Sequence, residues 1–280
     1  MSIAPEAFGF VRDLVRRESA IVLSQGKEYL VESRLLPVAR AEGVAGIDGL
    51  IEKVRQQPHG PASRRLVEAL TTNETSWFRD GDPFSALRST VVPDLAPSRS
   101  TIRRLRVWSA ACSSGQEAYS TAMTLLETPA VADWSIEIVG TDLSSEMVQR
   151  ARDGRYSQLE VNRGLPASSL VRYFERDGAG WRVNAQLRSM TRFSELNLMR
   201  PFPTVGRFDV VFLRNVLIYF DVETKRDILR RVRQVLAPDG YLYLGAAEMT
   251  MGVDDAWERV AAGRSSVYRG RKDVPSCGRS

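Results

Sequence analysis

The residues with the clearest chemical reach surround a run of side chains too small to keep a ligand from the backbone, residues 110–115, AACSSG. A short apolar strand, expected over 105–110, leads into this run, and a helix over 116–126 follows with Ala118, Ala122, Met123 and Leu126 on one side. A second strand is expected over 135–140, with Asp142 just past its end. In an open parallel sheet such a loop and carboxylate meet a ligand at the carboxyl ends of the strands, where the carboxylate binds a ribose diol. Two cofactor classes use this layout. A dinucleotide wants G-x-G-x-x-G so that its pyrophosphate sits on the helix N-terminus. This loop has one glycine, Gly115, and places Glu117 where the pyrophosphate would lie. Like charges repel there. S-adenosylmethionine has no phosphate and carries a sulfonium cation, so Glu117 suits it. A βαβ unit without ligand, with Glu117 merely at a helix start, accounts for the same residues.

Elimination narrows the chemistry. The only histidine, His59, lies in the loop QQPHGP and reads as a solvated residue. The only cysteines, Cys112 and Cys277, are far apart. No His/Cys metal cluster and no Ser-His-Asp or Cys-His couple can be assembled. Cys112 reads as a small loop residue, not a nucleophile, and two unpaired cysteines suit a reducing cytoplasm. Whatever reaction occurs proceeds without a histidine base. The net charge of +5 permits nucleic acid, acidic lipid or an acidic protein as partner and selects none. With 43% hydrophobic and 26% charged residues the chain reads as a soluble globular protein. It shows neither a membrane-spanning run nor a signal-peptide layout.

The elements that must position these residues follow in order. Residues 1 to about 70 read as all-helical, with helices near 8–15, 28–41, 47–56 and 63–70. Arg34 and Arg40 fall on the second, where a solvated face is the plain reading. TTNETSWFRDGDPF, 71–84, is dense in hydrogen-bonding side chains, and Trp77 and Phe78 both want burial. Residues 93–100 read as a turn-rich connector. A helix ending at Gly154 precedes a small antiparallel insert over about 155–194, with a turn at 177–180, and 193–198 returns to the core. FDVVFL begins a near-continuous apolar strand, as central parallel strands do, and ends in the polar pair Arg214 and Asn215. Asp221 caps a helix over 222–236 that PDG stops; a strand over 241–245 and a final antiparallel hairpin follow.

Five stretches, TTNETSWFRD, RVWSAACSSGQEAYSTAMTL, GTDLS, RNVLIYFD and LAPDGYLYLG, together resemble the chemotaxis receptor glutamate methyltransferases, the CheR family. The resemblance runs from near the start to about residue 270. It departs in the cofactor loop, where Gln116 and Ala118 replace a glutamate and a proline that are common in the family, while Glu117 is retained. The resemblance implies an α/β fold: a class I S-adenosylmethionine-dependent, Rossmann-like domain over 99–270 with an antiparallel β-subdomain inserted. An all-helical domain over 1–71 precedes it, with a linker over 72–98 contributing to the cofactor site and a disordered tail over 271–280. Carried over by position, the cofactor residues are Asn73, Thr75, Arg79, Glu117, Asp142, Asn197, Leu198, Arg214 and Asn215, and Arg79 and Tyr219 flank the transferred methyl. Without the resemblance, Tyr219 reads as a packed aromatic at a strand end. The family methylates glutamates on the cytoplasmic helices of chemoreceptors and leaves S-adenosylhomocysteine. A glutamate carboxylate is already ionised at neutral pH and needs no general base, which agrees with the missing histidine. The implied protein is a cytoplasmic monomer whose partner is the chemoreceptor cytoplasmic domain, with no metal, nucleic acid or membrane insertion. Members that tether to a C-terminal receptor pentapeptide have a longer turn resembling G-x-G-P-H-x-G; Asp177-Gly178-Ala179-Gly180 is shorter, which implies no such tether. Two rival readings share the fold: a methyltransferase on another substrate, although no NPPY-like tetrad is present, and an inactive cofactor-binding signalling protein.

Overall fold

The computed structural model describes residues 3–202 and 206–271. Cys277 and, except for Arg271, the expected disordered tail lie outside the described residues. The chain forms two compact units that are not contiguous in sequence. One holds the chain up to Thr72 together with Asn197–Pro201 and Tyr219–Thr224. The other holds the β-sheets.

In the helical unit, α1 (Pro5–Ser19), α2 (Glu28–Ala41), α3 (Gly46–Gln56) and α4 (Pro61–Ala69) match the expected elements, with α3 one residue and α4 two residues longer at the start. Pro5 and Pro61 lie in first turns, where the missing N–H has no intrahelical partner to lose. Each helix buries one stripe: Phe8, Val11, Leu14 and Val15 on α1; Val31, Leu35 and Ala39 on α2; Leu50, Ile51 and Val54 on α3; Leu66 and Val67 on α4. These stripes pack on one another, and each fully buried aliphatic side chain contributes about 1.5–3 kcal/mol. Glu42, just past α2, pairs with Lys53 of α3 at 2.8 Å and Arg65 of α4 at 2.7 Å. The bond from Lys53, aided by Arg65, holds its carboxyl below the usual range.

The second unit is built on a seven-stranded sheet. Its strands are β1 (Arg104–Ala110), β2 (Ser135–Asp142), β6 (Thr191–Glu195), β7 (Phe208–Leu213), β8 (Leu236–Leu244), β9 (Trp257–Ala262) and β10 (Ser265–Gly270), in the order β6-β2-β1-β7-β8-β10-β9. The first five run parallel; β10 is antiparallel to β8 and β9 antiparallel to β10. This is the class I methyltransferase fold that the sequence implies. The central strands are apolar because both faces are covered: Val107, Val210, Phe212 and Tyr243 are buried. Register fixes the site, because Ala110 lies opposite both Thr141 and Leu213, and Leu213 opposite Leu244. The loops after β1, β2, β7 and β8 therefore leave the sheet at one edge.

The flanking helices are α5 (Asp82–Ala86), α6 (Val92–Arg99), α7 (Gln116–Leu126), α8 (Ser145–Asp153) and α12 (Val222–Val235), with a π-helical turn at Leu87–Val91 joining α5 to α6. Residues 93–100, expected as a turn-rich connector, are instead mostly helix. α6 continues from the π-helical turn with Pro93 in its first turn and Pro97 inside it, and the buried Val92 and Leu95 hold the segment in the core. Three boundaries also differ. Asp142 is the last residue of β2, not the residue beyond it. The helix before PDG ends at Val235, and β8 begins at once, with a register shift between the Phe208–Leu236 and Val210–Tyr241 pairs, across Pro238 and Gly240. β6 begins at Thr191, so the insert ends sooner than expected.

The insert forms a three-stranded antiparallel sheet of β3 (Arg155–Tyr156), β4 (Phe174–Asp177) and β5 (Gly180–Val183), in the order β3-β5-β4. Three short helices not read from the sequence accompany it: α9 (Gln158–Val161), α10 (Ala167–Tyr173) and α11 (Ala185–Met190). Trp77 anchors the preceding stretch here, its ring edge-on to Tyr156 and Phe174 at 4.8 and 5.2 Å. The Trp77 N–H donates to the Arg163 carbonyl, and Gly164 has no room for a Cβ, which would stand 2.3 Å from the Trp77 oxygen. Phe78 is only half-buried, packed edge-on against Phe84 at 5.3 Å.

At the opposite, amino-terminal edge of the sheet, Arg99 is buried between two carboxylates. Its Nε donates to Asp209 at 3.0 Å and its Nη2 to Asp239 at 2.7 Å, while the other Asp209 oxygen accepts the Arg106 N–H. Arg99→Ala leaves Asp209 without its ionic partner and is expected to lower the unfolding free energy by about 3–5 kcal/mol, read from denaturant midpoints. Arg99 also holds the Asp239 carboxyl below its usual range. That contribution is complete above the unfolded carboxyl pKa, about 4, and is lost as pH falls through the lower folded value. The variant should therefore show a shallower acid limb in a pH–stability curve.

Candidate active site

Three loops at the carboxyl edge of the parallel strands carry strained backbone. Ala111 and Ser113 after β1, Asn215 after β7, and Phe78 and Asp80 in the stretch before α5 all have positive φ. Among the described non-glycine residues only Ala20 and Arg103 share that conformation. Such strain persists where surrounding bonds over-determine it, and it clusters at functional sites. Gly115, the N-cap of α7, has φ +93°, and a Cβ there would lie 2.9 Å from the Ala151 methyl. The glycine thus permits both the turn and the close approach of α8.

Glu117 and Arg214 meet at the centre. Arg214 Nη1 lies 3.0 Å from Glu117, and Nη2 reaches Asp80 at 2.6 Å and the Arg79 carbonyl at 2.9 Å. The other Glu117 oxygen accepts from the Ser109 hydroxyl at 2.7 Å. The Arg214 side chain is 1% exposed and Glu117 13%, so that arm of the fork is largely removed from water, whereas Asp80 is 42% exposed. An ionised carboxylate has about four acceptor directions, so Glu117 retains acceptor capacity for a ligand cation.

Asp142 is buried at the end of β2. Its Oδ2 accepts the Ser113 N–H at 2.7 Å and its Oδ1 the Ser144 N–H at 3.0 Å. Burial still pushes its carboxyl above the usual range, because backbone donors at Ser144, Ser113 and Leu143 do not replace the lost water. A carboxylate has about four acceptor directions in all, so capacity remains for a ligand hydroxyl. Neighbouring Cys112 is buried, and burial, with the Asp142 and Glu117 charges, raises its thiol well above the ordinary value. It is not a nucleophile at neutral pH.

The remaining residues fall into two groups. Asn73, Thr75 and Arg79 share the stretch before α5 in the sheet unit: the Asn73 carbonyl accepts the Ser113 hydroxyl at 2.7 Å, and Arg79 Nη1 donates to the Glu74 carbonyl at 3.0 Å. With Glu117, Asp142, Arg214 and Asn215 they occupy loops of one unit. Asn197, Leu198 and Tyr219 belong to the helical unit. Asn197 Nδ2 donates to the Glu18 carbonyl at 2.6 Å, and the Tyr219 carbonyl accepts the Val22 N–H at 3.1 Å. Sequence reading missed Asp80, the second partner of Arg214, and Glu248, which accepts the Asn215 N–H at 2.8 Å. The FRD triplet offered Asp80 as one more surface acid; its left-handed φ of 69° is visible only in the fold. Among the described residues no cluster of His, Cys, Asp and Glu could hold a metal.

Residues 6–71 match the CheR methyltransferase, all-alpha domain, and residues 73–266 the CheR methyltransferase, SAM binding domain. Together these matches span nearly the whole chain. The chain belongs to the CheR methyltransferase family. A CheR-family relative, chemotaxis protein methyltransferase 1 of Pseudomonas aeruginosa, is 41% identical over 276 residues, covering 97% of this chain and all (100%) of that one. Chemotaxis protein methyltransferase Cher2 of Pseudomonas putida is 39% identical over 276 residues, with 97% and 100% covered. Among solved structures, the glycopeptide N-methyltransferase MtfA complexed with S-adenosylhomocysteine overlaps with a TM-score of 0.34 at 15% identity, over 63% of this chain and 58% of that one. As a CheR-family methyltransferase the chain uses S-adenosylmethionine, and its loops fit that cofactor: the diol-ready Asp142, the acidic Glu117 at the α7 N-terminus, and backbone brought close at Gly115.

Asp142→Ala is expected to weaken S-adenosylmethionine binding by roughly 1.5–3 kcal/mol, the value of hydrogen bonds to a charged group. Calorimetric titration of the folded variant reads this directly; unchanged affinity would remove Asp142 from the cofactor site.

Proposed function

We propose that this enzyme methylates glutamate side chains on the cytoplasmic helices of chemoreceptors, giving methyl esters. The observation that carries this reading is near-full-length likeness to two chemotaxis protein methyltransferases. The chemistry agrees with it. When bound, S-adenosylmethionine supplies an electrophilic methyl group. The receiving carboxylate is ionised at neutral pH and needs alignment and freedom from competing water, not a base. That suits a chain whose single histidine, His59, is exposed in the loop before α4.

In this proposal Glu117 and Asp142 hold the cofactor's charged and ribose ends, assisted by Asn73, Thr75, Asn197, Leu198, Arg214 and Asn215. Arg79 draws the substrate carboxylate in with its guanidinium, and the half-buried Tyr219 orients one carboxylate oxygen through its hydroxyl. Fixed donors of this kind stabilise charge without reorganising during reaction. The enzyme acts as a cytoplasmic monomer. Acidic receptor helices meet the helical unit, to which Arg40 offers an exposed charge. Arg34, the other arginine expected there, is partly engaged: its Nη1 donates to the Thr71 carbonyl at 2.6 Å, tying α2 to the end of α4. The hairpin between β4 and β5 is tight, with Asp177 paired to Gly180 and Gly178 at φ +60°. A turn that short shapes little of a peptide cleft, so the proposed enzyme works without a C-terminal receptor tether.

The deciding experiment offers radiolabelled S-adenosylmethionine with a receptor cytoplasmic fragment, DNA and RNA. Label on the receptor that alkali releases as methanol is expected; label on nucleic acid would overturn the reading. Arg79→Ala should cut turnover far more than it lowers the unfolding midpoint. Arg40→Glu should slow receptor methylation most at low salt, because rim charges act on encounter rate. A rate unchanged at every ionic strength would make α2 an ordinary solvated face. Deleting the receptor's C-terminal tail should leave the rate unaltered.

A further inference from the structure

Glu248 lies in the turn that follows β8 and is 8% exposed. Among the described residues it forms no ion pair that explains so buried a charge. Its partners are backbone N–H groups from two chain segments. Oε2 accepts from Asn215 at 2.8 Å and from Gly245 at 2.6 Å, and Oε1 accepts from Ile218 at 3.2 Å. The turn is closed on itself by the Glu248 N–H donating to the Gly245 carbonyl at 2.9 Å.

Two further observations show that this carboxylate sets the loop's shape. Asn215 is held at φ +57°, a conformation that costs energy for a residue with a Cβ, and its N–H is one of those Glu248 takes. Gly245 leaves no room for a side chain. A Cβ there would lie 2.7 Å from Glu248 Oε2 and 2.9 Å from the Asn215 nitrogen. The carboxylate, the glycine and the left-handed asparagine therefore form one interlocked arrangement. It spans Arg214–Ile218, and Tyr219 is the next residue, the last of the 3₁₀ turn Leu217–Tyr219.

We propose that Glu248 is the positioning residue of the methyl-transfer loop: it acts as an anionic template that fixes Asn215 and the turn leading to Tyr219. It touches neither substrate nor cofactor in this role. The inference rests on the reading above that this loop serves the reaction. A neutral amide cannot replace the carboxylate. With backbone N–H groups aimed at both oxygens, either orientation of a glutamine sets its NH₂ against a donor. An aspartate keeps the charge and both acceptors but is one methylene short.

The test compares Glu248→Gln, Glu248→Asp and Gly245→Ala with Asp209→Asn, which loosens the buried Arg99 pair at the far edge of the sheet. For each, the unfolding midpoint, cofactor affinity by calorimetry, and kcat and KM on a receptor fragment are measured. The expected result is a kcat about 10- to 100-fold lower for Glu248→Gln, from the loss of charge-assisted bonds, with KM for the receptor fragment within about twofold and partial recovery in Glu248→Asp. Asp209→Asn should lose stability and keep kcat. If Glu248→Gln does not fold, Gly245→Ala carries the test with the carboxylate intact but displaced, and should lower kcat in the same way. Wild-type kcat in Glu248→Gln or Gly245→Ala, or an equal kcat loss in Asp209→Asn, would overturn the inference. Tyr219→Phe is measured alongside. Wild-type turnover there defeats the role given to the tyrosine; a loss there with none in Glu248→Gln defeats the positioning role alone.

Discussion

The Arg214 guanidinium is the interaction on which the rest of the site depends. A buried cation needs partners, because removing one strands a charge in a low-dielectric region at a cost of about 3–5 kcal/mol. Glu117 and Asp80 are those partners, and each lies on a different element. Glu117 comes from the first turn of α7, Asp80 from the stretch before α5, and Arg214 from the end of β7. The fork thus locks three loops into one geometry. An arginine does this better than a lysine, since its planar donors define direction as well as charge. Ser109, the next-to-last residue of β1, completes the arrangement by donating to Glu117.

Locked loops can store strain. Phe78, Asp80, Ala111, Ser113 and Asn215 all sit in the left-handed region. Four of the five are restrained by a bond from elsewhere in the sheet unit. The Phe78 N–H donates to Ser120 Oγ, the Ser113 N–H to Asp142, and the Asn215 N–H to Glu248, while Asp80 is held by Arg214. The Cys112 N–H donates to the Thr141 carbonyl, so the loop continues the β1–β2 pairing past its last regular residue. Trp77, wedged into the insert, and Phe78, packed on Phe84, pin the second half of the TTNETSWFRD stretch to the sheet unit. The stretch is therefore not a free linker.

Much of this was legible in the sequence. Glu117, Asp142, Arg214 and Asn215 stand at strand ends or helix starts, and hydrophobic periodicity locates those points well. The final antiparallel hairpin was legible in the residues, and the class I fold through the family resemblance. Asp80 and Glu248 were not legible from residue pattern, because their roles rest on contacts 134 and 33 residues away in the chain. Residues 93–100 misled because prolines there signalled a connector, although α6 carries both of them, Pro93 in its first turn and Pro97 inside. The helices of the insert are four to seven residues long, too short for a periodic pattern to emerge. Arg34 read as solvated because spacing cannot reveal a tie to the Thr71 carbonyl.

The two edges of the sheet treat carboxylates in opposite ways. At the amino edge, Arg99 lowers the Asp239 carboxyl, and Arg106 with Arg104 lowers that of Glu137 on β2. Those groups gain stability from being ionised, in the range above the ordinary carboxyl pKa. At the carboxyl edge, Asp142 on the same strand β2 as Glu137 is raised by burial. The sign reverses for it: the folded state favours the protonated form, so its ionisation subtracts stability as pH rises from the unfolded value through the raised one. The fold's own use for it, accepting the Ser113 and Ser144 N–H groups, does not by itself offset the cost of burying its charge. A ligand with hydroxyl donors does, since its bonds would favour the ionised form and return what burial takes. Within one strand, then, ionisation stabilises the fold at Glu137 and costs it at Asp142, and in the proposed reading a cofactor diol would offset that cost.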